Sequence, residues 1–178
     1  MKRITAIALV LVLLVGGLVA CGGTKTPDAP AAYEGTLTEL MTKLYEANPL
    51  ELPVMTEGMV VDFADEYAVK AYLGLDSAEG VAEAYFSETM MGAQAYSLVL
   101  AKISDTAKIE EIKSAMFNGI DTRKWICVEA DQLRVVSSAD VVMLVMADTN
   151  LGEGIADGMV EAFKANVGEL SGETFTKG

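Results

Sequence analysis

The chain contains no histidine, so the side chain most often used as a general base near neutral pH is missing. It has only two cysteines, Cys21 and Cys127, and a pair so far apart in sequence cannot build a zinc site. Basic residues are also scarce: 13 Lys and Arg face 26 Asp and Glu, for a net charge of −13. Such a surface repels phosphates, which excludes nucleic acid as the expected partner. What the 178 residues do have is apolar mass: 52% are hydrophobic. That is enough for a real core, argues against wholesale disorder, and at this length suits one domain.

The N-terminus reads as an address. Lys2 and Arg3 are followed by a stretch, residues 4–20, without a single charge. Seventeen such residues lie at the short limit for a membrane span and also match a secretory signal with a basic start and small residues near its end. Leu18-Val19-Ala20-Cys21 resembles the bacterial lipobox, in which a small residue lets a peptidase approach the backbone and the cysteine thiol takes up diacylglycerol. Cleavage is therefore expected between Ala20 and Cys21, with lipidation (palmitate among the acyl chains) on Cys21. The alternative is an uncleaved anchor with an accidental cysteine. Removal of residues 1–20 leaves 11 basic and 26 acidic residues, a net −15. Acyl chains contribute about 0.8 kcal/mol per buried methylene, so two anchor stably where one is marginal. An acidic body gives no electrostatic help on an anionic leaflet. Residues 21–35 are small and polar, without periodicity, and read as the lipidated cysteine and a flexible tether reaching at most about 50 Å.

The body, residues 36–168, reads as a single domain followed by a polar tail, residues 169–178. Thr36-Leu37-Thr38-Glu39 has the capping-box pattern, and Leu37, Leu40, Met41, Leu44 and Tyr45 follow at helical spacing. Asn48-Pro49 ends that helix and Pro53 keeps the next segment extended. A second helix is expected over residues 63–73, with Asp62 as N-cap and Gly74 as its stop. Asp76 and Ser77 offer a cap for a short helix through Val81, Ala84 and Tyr85, passing into a strand near Phe86 at no definable boundary. Residues 95–103 alternate as a strand, with Tyr96, Leu98 and Leu100 on one face and Val99 and Ile103 on the other. Ser104-Asp105-Thr106 caps a helix whose core stripe is Ile109, Ile112, Met116 and Ile120. Glu110, Glu111, Lys113 and Ser114 fall on its wet side. Gly119 leaves open whether this helix runs on to Trp125.

Residues 133–137 and 141–147 read as two strands joined through Ser138-Ala139-Asp140. The second is apolar on both faces and is placed centrally in the sheet. A last helix presents Leu151, Ile155, Met159, Ala162, Phe163 and Val167 on one side, and Gly168 can end it. The expected fold is α+β: a two-layer sandwich with a small mixed or antiparallel sheet of three to four strands covered by helices.

Several of these features occur together: the lipobox, the spacer, Tyr72-Leu73-Gly74-Leu75, the Gln94-Ala95 strand entrance, the helix from Ile109 towards Arg123, and an apolar strand before an acidic turn. The combination resembles a family of small bacterial lipoproteins, mostly Gram-positive, catalogued only as a domain of unknown function. The likeness covers residues 37–163. Where that family is expected to show a glycine before the last strand, this chain has Ser138-Ala139-Asp140, which bears on the turn type. The resemblance implies no activity and transfers no catalytic residue.

Gly152-Glu153-Gly154-Ile155-Ala156-Asp157-Gly158 is one residue too long for a dinucleotide loop, and its two acids would repel a pyrophosphate. Asp148-x-Asn150-x-Gly152 fails as a calcium loop at its fifth, sixth and twelfth positions, so Asp148 and Asn150 read as capping and turn residues. A loose cation site there stays open. Cys127 reads as a small buried residue beside Ile126 and Val128. Asp105, Glu110 and Glu111 read as solvated charges near a helix start. Met90-Met91 is a sticky patch or part of the core. Trp125 with Arg123 and Lys124 is the one aromatic-basic cluster, read as a possible interaction surface or as a helix end packing its indole inward.

No catalytic residue, metal site or cofactor is assigned. The expected partners are the membrane, through lipid on Cys21, and an envelope protein or small ligand, with no nucleic acid. The expected location is the extracytoplasmic face of the cell membrane. The leading functional reading is an anchored, non-catalytic binding or interaction module. The alternative is an extracytoplasmic hydrolase acting on cell-envelope glycan with a carboxylate pair, which would need a cleft with two facing acids.

Overall fold

The computed structural model describes residues 32–178. The expected signal segment, Ala20, Cys21 and most of the tether lie outside the described residues. The capping box forms as expected: Glu39 N–H donates to Thr36 Oγ1 at 3.2 Å, and Thr36 N–H donates to Glu39 Oε2 at 3.3 Å. It opens helix α1 (Leu37–Ala47), whose five-residue apolar stripe is buried.

The segment after Pro53 stays extended and forms a two-residue strand, β1 (Met59–Val60). The second helix starts later than expected. Asp65, not Asp62, accepts the capping N–H, from Tyr67, and a short α2 (Glu66–Ala68) widens into a π-helical turn, Val69–Leu73. Gly74 does end it, in the left-handed region at φ 72°. Its carbonyl meets Gly119 so closely that a Cβ on Gly119 would lie 2.0 Å from Gly74 O. This crossing is where the following helix must stop.

The expected helix through Val81, Ala84 and Tyr85 is instead strand β2 (Val81–Glu88). It pairs along its whole length with β3 (Tyr96–Ile103), and that ladder outweighs the helical spacing of its small residues. A 3-10 turn, Thr106–Lys108, capped by Asp105, leads into α3 (Ile109–Gly119). Strands β4 (Gln132–Ser138) and β5 (Val141–Ala147) form the expected hairpin with a two-residue turn. Ala139 takes φ 53° there, a conformation that favours glycine. A 3-10 turn, Thr149–Leu151, precedes α4 (Ile155–Val167).

The polar tail is not free. It ends in β6 (Phe175–Lys177), which pairs with β4. The sheet thus has six strands, in the order β1-β2-β3-β5-β4-β6, with every neighbouring pair antiparallel. The α+β class holds, but the sheet is larger than the three to four strands expected. Helices also cover both faces, so the architecture has three layers rather than two. Leu98, Leu100, Met143 and Val145 pack with α1 and α4, while Val99, Ala101, Val142 and Leu144 pack with α3 and the π turn. Strand β5 lies between β3 and β4 and is buried on both faces, as its composition requires.

Lys113 departs most sharply from its expected place on the wet side of α3. Its side chain is 0% exposed, donates to the carbonyls of Ser171 (3.1 Å) and Glu173 (2.6 Å), and pairs with Glu110 at 2.8 Å. The segment before β6 folds over it. Arg134 does similar work on the other face, donating to Lys177 O at 2.8 Å and gripping Asp157 through Nε at 2.7 Å and Nη2 at 3.3 Å.

Candidate functional site

Strand direction gives the sheet two ends. At the first lies the β4–β5 turn. Here the chain enters the domain: Tyr33 N–H donates to Asp140 Oδ1 at 2.8 Å, and Lys102 Nζ donates to Tyr33 O at 3.1 Å. Tyr33 is thus held against the domain, although it lies inside the segment expected to be tether. Roughly 24 Å away, at the other end of the eight residues of β3, lie the β2–β3 connection and the loop 120–131. Those two loops are tied by Ile126 N–H donating to Gly92 O at 3.2 Å.

The large exposed apolar side chains of the described residues gather along this second end and the adjoining β1 edge. They are Met55, Met59, Val60 and Tyr67 on the edge segment, Met90 (76% exposed) and Met91 on the β2–β3 connection, and Ile126 (75%) on the loop. Met55, Met59 and Met90 line a shallow groove of about 240 Å³ with Tyr72, Phe86 and Glu88. Its floor is an aromatic stack, Tyr72 on Phe86, with ring centroids 3.6 Å apart and planes 14° from parallel. Gly74 and Gly119 set this floor, because their close crossing fixes where the π turn delivers Tyr72. Met90-Met91 is thus a surface feature and not core.

Lys124 braces the stack from behind. Its ammonium lies 4.8 Å from the Tyr72 centroid and 5.3 Å from that of Trp125, donates to Ala71 O at 2.9 Å, and pairs with Glu88 Oε1 at 2.5 Å. Burial pushes the Lys124 amine below the ordinary lysine range, and the Glu88 carboxylate opposes that shift. Burial and the same carboxylate raise the Tyr72 phenol. The cluster Arg123, Lys124 and Trp125 is therefore split. Lys124 faces inward and cannot meet a partner. Arg123 and Trp125 line an open hollow of about 360 Å³ with Cys127, Val128 and Glu129, and Arg123 Nε pairs with Glu129 at 3.3 Å. The helix ends at Gly119, so Trp125 is placed by the loop, but its half-buried indole does pack on the core, beside Lys124.

Cys127 is exposed, at φ 61°, and not buried as expected. The tight loop turns Ile126 and Cys127 outward and leaves Val128 packed on the core. Asp148 accepts N–H from Asn150 at 2.8 Å, and Asp131 accepts both N–H and Oγ1–H from Thr149. These bonds hold the Asp131 carboxyl below its usual range. Both carboxylates serve the entry to α4, and Asp157 is held by Arg134. Among the described residues no three His, Cys, Asp or Glu side chains converge as a metal would need.

The hydrolase alternative requires two facing acids. An acid-rich hollow of about 260 Å³ between residues 75–79 and α3 holds Asp76, Glu79 and Glu111. Asp76 pairs with Lys70 at 2.7 Å and Glu79 with Lys108 at 3.1 Å, both nearly fully in water. Neither is shielded as a general acid must be. On the other face, Tyr45 Oη donates to Ser87 Oγ at 2.7 Å and lies 3.1 Å from Tyr96 Oη. That network sits in the packed layer under α1, where burial raises both phenols.

Sequence reasoning found Trp125 and Arg123 through their composition but missed the groove beside them. Nothing local separates the exposed Met55 and Met59 from core methionines; only the absence of any basic residue from position 44 to 69 marks that stretch as unusual. No protein-family model, curated protein or solved structure matches the chain.

Proposed function

We propose that the chain is a bacterial lipoprotein, anchored through Cys21 on the outer face of the cytoplasmic membrane, that acts as a non-catalytic interaction module. The domain docks a partner through the methionine groove and the adjoining Trp125 loop. The observation that carries this reading is the gathering of exposed Met55, Met59, Met90, Met91 and Ile126 at one end of the sheet. Contiguous exposed apolar surface of this kind marks an interaction site. Its position adds to the case, because the chain enters the domain at the opposite end, beside Asp140. A domain held there presents the groove away from its anchor. The lipobox Leu18-Val19-Ala20-Cys21 and the small polar residues that follow supply the address, and the likeness to small lipoproteins of unknown function agrees with it.

Metabolic labelling with a clickable palmitate, followed by protease treatment of intact cells, tests the anchoring. The expected result is a labelled protein of reduced mass that is digested from outside, with the label lost in Cys21→Ser. An unlabelled, full-mass, protease-protected chain would contradict the proposal.

A further inference from the structure

We infer that the occupant of the methionine groove is a cationic amphipathic polypeptide segment, with an apolar face flanked by Lys or Arg. This deepens the docking reading above and rests on it. The groove itself asks for apolar groups. Methionine side chains are unbranched and polarisable, so Met55, Met59 and Met90 can repack around differing apolar shapes. The stretch that supplies Met55 and Met59 borders the groove and is its rim, and it then selects on charge: Glu57 lies between those two methionines, and Glu51 lies two residues from Pro53, whose carbonyl accepts the Met90 N–H at 2.9 Å. Between Lys43 and Lys70 the chain carries Glu46, Glu51, Glu57, Asp62, Asp65 and Glu66 and no basic residue. All six are exposed, and among the described residues none is in an ion pair.

The basic groups at this end are already engaged, Lys124 with Glu88 and Arg123 with Glu129. Among the described residues, neither cation of this loop is left unpaired to receive an acidic partner. A segment bearing Lys or Arg beside its apolar face completes both halves of the surface, and opposed charges both speed the encounter and exclude wrong partners. The other candidate occupants meet the same field with the wrong sign. An anionic bilayer is repelled by the rim, and the chain enters at the far end of the sheet. A second copy would bring an identical row of carboxylates against the first.

The test uses the full chain in zwitterionic nanodiscs, with its methionine methyl groups labelled with carbon-13 and empty discs as the blank. The probe is a short amphipathic Leu/Lys peptide, compared with a Leu/Ser peptide of the same apolar pattern. The expected result is saturable shifts confined to the methyls of Met55, Met59, Met90 and Met91, with the Leu/Ser peptide weaker by about tenfold. Added salt should weaken the Leu/Lys peptide, because the rim is exposed. The double variant Glu51→Gln, Glu57→Gln should weaken it by about tenfold as well. Neither of those side chains makes a hydrogen bond among the described residues, so the fold should survive.

Equal binding of the two peptides at the same methyls would overturn the cationic assignment and leave the docking site standing. No methyl shift with either peptide would overturn both. Shifts on changing the discs to anionic lipid, with no peptide present, would reassign the surface to the bilayer.

Discussion

Strands β6 and β1 both end the same antiparallel ladder and both are short, yet they are finished in opposite ways. β6 is polar outward, with Thr176 and Lys177 in water, and is fastened from within. Phe175 packs 5.5 Å from Phe117, Lys113 holds two carbonyls of the approach, and Arg134 holds the carbonyl of Lys177. That is how an edge is blunted against stray pairing. β1 carries Met59 and Val60, both exposed, and continues into the methionine groove. An apolar edge is a liability for an isolated domain. Under the proposed docking role it is the edge that a partner covers, whereas β6 is finished with charge and serves stability.

The largest effect that can break this comparison is at Lys113. Lys113→Ala removes a fully buried ammonium, the donor to Glu173 O and one of the two donors to Ser171 O, and should cost about 3 kcal/mol, read in urea unfolding, with faster amide exchange over residues 175–177. At the opposite edge Met59→Ser should cost far less, about 0.5 kcal/mol, because the side chain is already 47% exposed. Equal costs at the two edges would remove the distinction.

A second test lies in pH. Burial lowers the Lys124 pKa, so the unfolded chain binds more protons than the folded one between the folded pKa and the ordinary lysine value. Stability should therefore rise with pH in that window, and Lys124→Met should flatten the rise. Above about pH 10 the trend reverses. Tyr45 and Tyr96 have raised pKa values, so their contribution is complete below the ordinary phenol value and is lost as pH climbs through the folded ones. Unfolding free energies across the alkaline range, with tyrosinate absorbance, would show both slopes. The smallest effect is at the entry end. Ala139→Gly relieves a positive φ and should stabilise by about 1 kcal/mol without touching the groove.

What was legible in the sequence follows from how local each signal is. The Thr36–Glu39 box, the Gly74 stop, the alternation of β3 and the two-faced apolarity of β5 are all set within a few residues, and each forms as read. β2 was obscured because Ala82 and Ala84 suit a helix, and only the ladder with β3 decides otherwise. β1 and β6 are too short to carry a period. Lys113 looked solvated because nothing in its own helix announces that residues 171–173 will fold over it. The candidate site was half legible for the same reason. Trp125 and Arg123 stand out by type, while the groove is assembled from three separated segments whose methionines look like core.

The most direct test of the assignment of the two edges is photo-crosslinking in living cells from a benzoyl-phenylalanine placed at Met59 or, in a second strain, at Thr176. We expect one dominant adduct from position 59, diminished when Glu51 and Glu57 are neutralised, and none from position 176. Equal capture from both edges, or capture from position 176 alone, would contradict the account.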